Sequence, residues 1–295
     1  MKKTLYIIML AFVTSLGLMS CSDDDPSSKT IFPTDEQTNV DNFDRWLLKN
    51  FTYPYNVEMK YKMSDIESDH KYTLVPADSA KAAKLSIILK YLWFDAYSEV
   101  AGQDFIKLNV PRMIHFIGSP AYNSEGTMVL GTAEGGLKIT LYMVNSLTDD
   151  MLSDYATMNE YYFHTLHHEF THILNQKVPF DKSYDLITES GYVSGSWYLT
   201  PSSTAHKAGF VTNYAMVEPV EDFAEMLSMY VTITPAEWSA IIADAGTDGA
   251  EKINAKLDIV RSYMQDAWDI DIDELRDVVL RRASELKGVD LKHLN

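Results

Sequence analysis

The chain is 295 residues long and holds 42 Asp and Glu against 25 Lys and Arg, a formal charge of −17. That balance opposes binding to nucleic acid or to an anionic membrane surface, and acidic residues spread along the chain serve solubility. A single cysteine excludes an internal disulfide framework, while 46% apolar residues suffice for one large domain or two intimate lobes.

Lys2 and Lys3 precede an apolar run from Leu5 to Leu18, the pattern of a secretory signal peptide and too short for a membrane span. Leu18-Met19-Ser20-Cys21 has the form of a lipobox. Residues 1–20 are then the leader, and Cys21 the lipidated first residue of the mature chain. No cysteine is left to ligate a metal, and losing Lys2 and Lys3 takes the formal charge to about −19. Residues 21–37, rich in Asp, Ser, Thr and Pro, read as a flexible tether. Residues 38–295 read as the folded domain, with a sheet-and-helix part over 38–178 and a helical part over 179–295.

Val40 to Phe51 reads as a first helix and Val57 to Met63 as a short strand. Asp78 opens a helical stretch to about Gly102. Arg112 to Gly118, Thr127 to Thr132 and, past a turn at Gly135-Gly136, Leu137 to Val144 read as strands of a small sheet. Asp154 to Lys177 reads as the next helix, with Asp154 as N-cap and Pro179 just beyond its end. Its Tyr161, Leu166, Phe170, Ile173 and Leu174 fall roughly at helical spacing. Within it, His168-Glu169-Phe170-Thr171-His172 spells HEFTH. Residues four apart share a helix face, so His168 and His172 can aim both imidazoles at one Zn²⁺. Glu169 is placed to take a proton from an attacking water. His164 and His167 add imidazoles that fit surface or packing positions better than ligation.

A third ligand in the same stretch is excluded, because Asn175 and Val178 stand where a metzincin has Gly and His. A Glu from a second helix is the next source. Asp185 to Asn213 is a long segment whose Trp197, Tyr198 and His206 fit a substrate cleft or an ordinary surface excursion equally well. Asn213 to Tyr230 then reads as a helix, with Pro219 in its first turn and Phe223, Met226, Leu227 and Tyr230 as an apolar stripe. Glu218, Glu221, Asp222 and Glu225 crowd its start. Such carboxylates ordinarily form a solvated turn that complements the helix dipole. Glu221 and Glu225 share one face, however, which suits a ligand backed by an acceptor one turn on. Pro235 to Ala245, Ala250 to Trp268 and Asp273 to Lys287 are helical by pattern. Asp269, Asp271 and Asp273 imitate a calcium loop, but Glu274 and Leu280 replace its Gly and Glu, so a helix cap is the better reading.

HEFTH followed about fifty residues later by EDFAE, Glu221 to Glu225, resembles the gluzincin arrangement. The resemblance implies Glu221 as third zinc ligand and Glu225 as its supporting acid. It also implies Tyr214 as donor to the oxyanion, as in enzymes with lethal-factor-like catalytic domains. The longer string LHHEFTHILNQ, behind a lipoprotein leader, is similar to a Bacteroidetes family of zinc-binding metallopeptidases, also called substrate import-associated zinc metallohydrolase lipoproteins. That similarity implies an α+β, zincin-like fold: a small mixed sheet with the active-site helix, then a helical C-terminal lobe. It implies zinc as cofactor, a peptide or protein as substrate, and a SusC/SusD-type outer-membrane uptake complex as neighbour. In zincins the strand at the cleft edge adds extended substrate to the sheet, which singles out Gly131 to Gly136 or the strand after it. Ser22-Asp23-Asp24-Asp25 looks like the acidic signal that sends such lipoproteins to the cell surface, so the expected location is the outer membrane, facing outward. The rival expectation is a zinc-containing lipoprotein that binds substrate without cutting it; the presence of Glu169 favours the enzyme.

Overall fold

Local signals set most helix boundaries. Asp78, in extended conformation, accepts a hydrogen bond from Lys81 N at 3.0 Å and starts a helix where its sequence predicts one. The computed structural model describes residues 41–63, 72–122, 128–129, 131–134 and 137–294. The leader, Cys21, the tether and the Gly135-Gly136 turn lie outside these residues. Helix α1, Asn42–Leu47, is capped by Asp41 and continues through a π-helical turn, Leu48–Thr52. Helix α2, Ser79–Leu89, passes through a second π-helical turn, Lys90–Phe94, into α3, Asp95–Asn109. The predicted stop at Gly102 is instead a kink, with φ at 80°. The chain turns helical again because Phe105 stacks on Tyr97, ring centroids 6.1 Å apart, and Ile106 is fully buried.

The main sheet has four strands in the order β1-β2-β6-β5. Strands β1 (Glu58–Lys60), β2 (Met113–Phe116) and β6 (Lys138–Leu141) run parallel, and β5 (Gly131–Glu134) pairs antiparallel with β6. A separate hairpin pairs β3, Ala121–Tyr122, with β4, Met128–Val129. Ile114, Phe116, Ile139 and Leu141 are buried in the sheet's apolar face, and His115 and Thr140, alternating with them, are buried as well. Strand β5 is therefore an edge, as the cleft-edge expectation requires. Its Gly131 lets the backbone come close to the HEFTH helix: a Cβ there would sit 2.6 Å from Cγ2 of Thr165.

The HEFTH helix follows a short helix, Tyr155–Met158, that Asp154 caps as predicted by accepting from Thr157 N. A π-helical turn, Asn159–Phe163, then leads into α4, His164–Lys177. Such turns shift the side-chain register of everything downstream and recur near functional sites. The buried face of α4 carries Phe170, edge-on to Trp93 at 5.3 Å and to Tyr97 at 5.1 Å. Helix α5, Pro219–Thr232, packs against α4. It begins six residues later than the predicted Asn213, because Glu218 before the proline is fully extended and Tyr214–Met216 forms its own 3₁₀ turn. Pro219 occupies the first helical turn as expected.

The long segment between α4 and α5 is not an open loop. It holds two short helices, Ser183–Ile187 and Ser202–Ala208, and 3₁₀ turns at Glu189–Gly191 and Ser194–Leu199. Helix α6, Pro235–Trp268, is broken at Gly246 (φ 66°), between the two predicted helices. Asp271 accepts from the backbone N–H groups of Asp273 and Glu274 to cap α7, Ile272–Glu285, whereas Asp269 ends α6 in a left-handed conformation and the Asp273 side chain pairs with Arg261.

Candidate metal centre

One turn of α4 separates His168 from His172, and α5 lays Glu221 across both. His168 Nε2 lies 3.0 Å from His172 Nε2 and 2.9 Å from Glu221 Oε2, and the latter is 3.3 Å from His172 Nε2. Tetrahedral zinc with bonds of about 2.0–2.1 Å spaces its ligand atoms about 3.3 Å apart. Three atoms of the right donor types thus converge at nearly the right separations. The electrostatics point the same way. Burial works against charging His168, yet its hydrogen bonds to Glu221 and Glu225 raise its pKa to about 10. Burial also works against the Glu221 carboxylate, but His168 and His172 bring it down to about 2. These imidazoles and carboxylates hold one another in place, and with the histidines neutral the same three atoms form a donor set for a divalent cation. The residues present fit zinc, held by His168, His172 and Glu221.

Glu225 stands behind this triad and is almost fully buried. Its Oε1 accepts from His168 Nδ1 at 2.8 Å, and its Oε2 accepts from the Thr212 hydroxyl at 2.6 Å. The first bond fixes the His168 tautomer that turns Nε2 toward the metal position. His164 completes the arrangement, with Nε2 2.8 Å from the same Oε1. His164 thus packs beside the triad and adds a polar contact absent from the sequence expectation, although its signal is present there. His164, His168 and His172 repeat at intervals of four and so share one helix face. Three donors on one buried carboxylate hold it ionised: although burial opposes this, His164 and His168 keep its pKa well below the usual range. His167 does pack in the core, with Nδ1 3.0 Å from the Tyr97 hydroxyl and burial lowering its pKa to about 3.

Glu169 lines a cleft of about 320 Å³ together with His172, Asn175, Gln176, Val220 and Glu221. Tyr214 lies on another side of His168, ring centroids 5.7 Å apart. Burial first, and then Glu221, Glu225 and Glu169, hold its hydroxyl above the ordinary phenol range, so it remains a protonated donor. Thr212 also accepts from Ala215 N at 3.1 Å, tying the turn that carries Tyr214 to Glu225. Trp197 joins the site by packing edge-on to Tyr214, whereas His206 faces Asp244 on α6 at 2.6 Å. Glu218 caps no backbone group with its side chain, and Asp222 turns inward to Lys256.

A mixed sheet, an HExxH helix and a facing helix that brings a glutamate to both histidines define a zincin-like metallopeptidase fold. The chain belongs to the family described as "putative zinc-binding metallo-peptidase", which matches residues 36–273. It is also similar to a solved structure from Bacteroides caccae ATCC 43185 that bears the same description. The two are 43% identical with a TM-score of 0.77, and the match covers 90% of this chain and 100% of that one. No curated protein matches the chain.

Removing hydrogen-bond partners of metal-bound histidines ordinarily costs 10–100-fold in metal affinity. Glu225→Ala, which removes the partner of His168 Nδ1, is accordingly expected to weaken zinc binding about tenfold in chelator competition, Glu221→Ala, which removes a ligand itself, to weaken it more, and His164→Ala, one hydrogen bond further out, to weaken it less. Zinc affinity unchanged in His164→Ala would reduce His164 to a bystander.

Proposed function

We propose that the protein is a zinc-dependent peptidase that hydrolyses peptide amides at the outer face of the outer membrane. The observation that carries this reading is the convergence of His168 Nε2, His172 Nε2 and Glu221 Oε2 beside a cleft that Glu169 also lines. Zinc, when bound, supplies a Lewis acid that polarises the scissile carbonyl and lowers the pKa of water toward about 7. Glu169 takes the proton of the attacking water and delivers it to the leaving amine. Tyr214, kept protonated, donates to the oxygen on which negative charge develops. Glu225, held by His164 and Thr212, keeps His168 in orientation. Strand β5 offers its free edge to an extended peptide. Unbiased peptide-library cleavage with zinc-loaded protein from Ser22 onward tests the activity. Discrete amide cleavage that a chelator abolishes is expected, and an uncut library would defeat the proposal.

The site of action follows from Cys21 and the acidic residues after it. One acyl chain anchors marginally and two or three anchor stably, so the lipidated chain is held in the outer membrane. The resemblance of the leader and of LHHEFTHILNQ to import-associated lipoproteins suggests a place beside a SusC/SusD-type uptake system, with oligopeptides as product. External protease on intact cells is expected to digest the parent. With Asp23, Asp24 and Asp25 replaced by Ala, the protein should stay anchored but become protected. Protection of the parent would move the enzyme to the periplasmic face.

A further inference from the structure

Aromatic rings lead outward from the metal centre. The Tyr214 ring lies 5.7 Å from His168, Trp197 packs on it at 5.0 Å with planes at 88°, and Tyr198 lies 6.1 Å beyond at 89°. Trp197 and Tyr198 belong to the 3₁₀ turn Ser194–Leu199. Three residues per turn send consecutive side chains in three directions. Trp197 points in toward Tyr214, while Tyr198 and Leu199 are 50% and 70% exposed.

The turn is fixed to the catalytic region at both ends. Val193 N donates to Met216 O at 2.7 Å, and Asn213 Nδ2 donates to Thr200 O at 3.2 Å, so both anchors hold the segment that carries Tyr214. Ser194 enters the turn at φ 49°, a left-handed conformation that serine seldom adopts and that is retained where surrounding structure requires it. From Ser190 to Ala205 the sequence has no Asp, Glu, Lys or Arg, in a chain where charged residues make up 23%. A lone exposed Leu needs no explanation, but a rigid, uncharged apolar ridge continuous with a catalytic side chain is a binding surface.

We infer that this ridge, Trp197 with Tyr198, is the wall that receives a large apolar or aromatic side chain of the peptide beside the bond to be cut. The inference rests on the peptidase reading and assigns its substrate class. Apolar rings gain most by covering hydrocarbon.

Hydroxamates test the wall without requiring turnover, because the hydroxamate holds the metal and its substituent probes the surroundings. The zinc-loaded protein is expected to bind 3-phenylpropionohydroxamate at least about tenfold more tightly than acetohydroxamate. 6-Aminohexanohydroxamate should gain no comparable advantage. Trp197→Ala should bring the phenyl preference, taken as the ratio of the two affinities within the same zinc-loaded protein, close to one. Tyr198→Ser, at a half-exposed position, should reduce the preference by a smaller factor. Equal binding of the phenyl and methyl compounds by the parent, a preference for the aminohexyl compound, or full phenyl preference in both variants would overturn the inference. A phenyl preference that disappears in Trp197→Ala, in a protein that cuts no peptide, would uphold the wall and remove the peptidase.

Discussion

Glu169→Gln is expected to lower peptide hydrolysis by about 10²–10⁴-fold while zinc stays bound at one equivalent, because positioned proton transfer contributes a factor of that size. The amide has nearly the shape of the carboxylate but cannot take a proton from the attacking water. Glu169 is not among the three atoms that converge on the metal position, so elemental analysis should show no loss of zinc. Tyr214→Phe, which deletes one donor to the oxyanion, should also retain zinc and lose about 10²-fold in kcat. A Glu169→Gln protein that hydrolyses peptide at the parental rate would show that another group carries the proton.

The convergence of His168, His172 and a glutamate from the next long helix was legible in the sequence because its geometry is local. HEFTH fixes three side chains relative to one helix axis, and helical periodicity alone puts both imidazoles on one face. Glu221 and Glu225 were placed on a common face by the same argument, and they divide the two nitrogens of His168 between them. Local rules also placed the caps at Asp78, Asp154 and Asp271 and the break near Gly246. They could not give the order β1-β2-β6-β5, since strands distant in sequence pair through contacts that no window of residues contains. The π-helical turn before His164 was equally hidden, because an extra residue per turn leaves a short apolar pattern almost unchanged. The helical order between Ser183 and Ala208 escaped for a similar reason: each element there is one or two turns long, too short to show a period.

Asp222 marks the plainest limit of local reading. In a run with Glu218, Glu221 and Glu225 it resembles one more solvated carboxylate complementing a helix start. It is instead fully buried against α6, where it accepts from Lys256 Nζ and from the Tyr192 hydroxyl at 2.9 Å. Lys256 is equally buried, donates to Gly209 O at 3.0 Å, and lies over the Phe210 ring at 4.0 Å. Sequence could not join the pair, because 34 residues separate them.

Removing one partner leaves the other as an uncompensated buried charge, which ordinarily costs 3–5 kcal/mol. Lys256→Met should therefore destabilise the protein by about 3–5 kcal/mol in chemical denaturation. Replacing both partners, Asp222→Asn with Lys256→Met, should recover much of that loss, because no charge is then left buried. Asp222 directly follows the ligand Glu221, and Lys256 also holds the backbone at Gly209, on the segment leading to Thr212 and Tyr214. The single variant should consequently lose zinc at lower denaturant than the parent. A cost below about 1 kcal/mol would mean that water reaches the pair and that its burial contributes little to the fold.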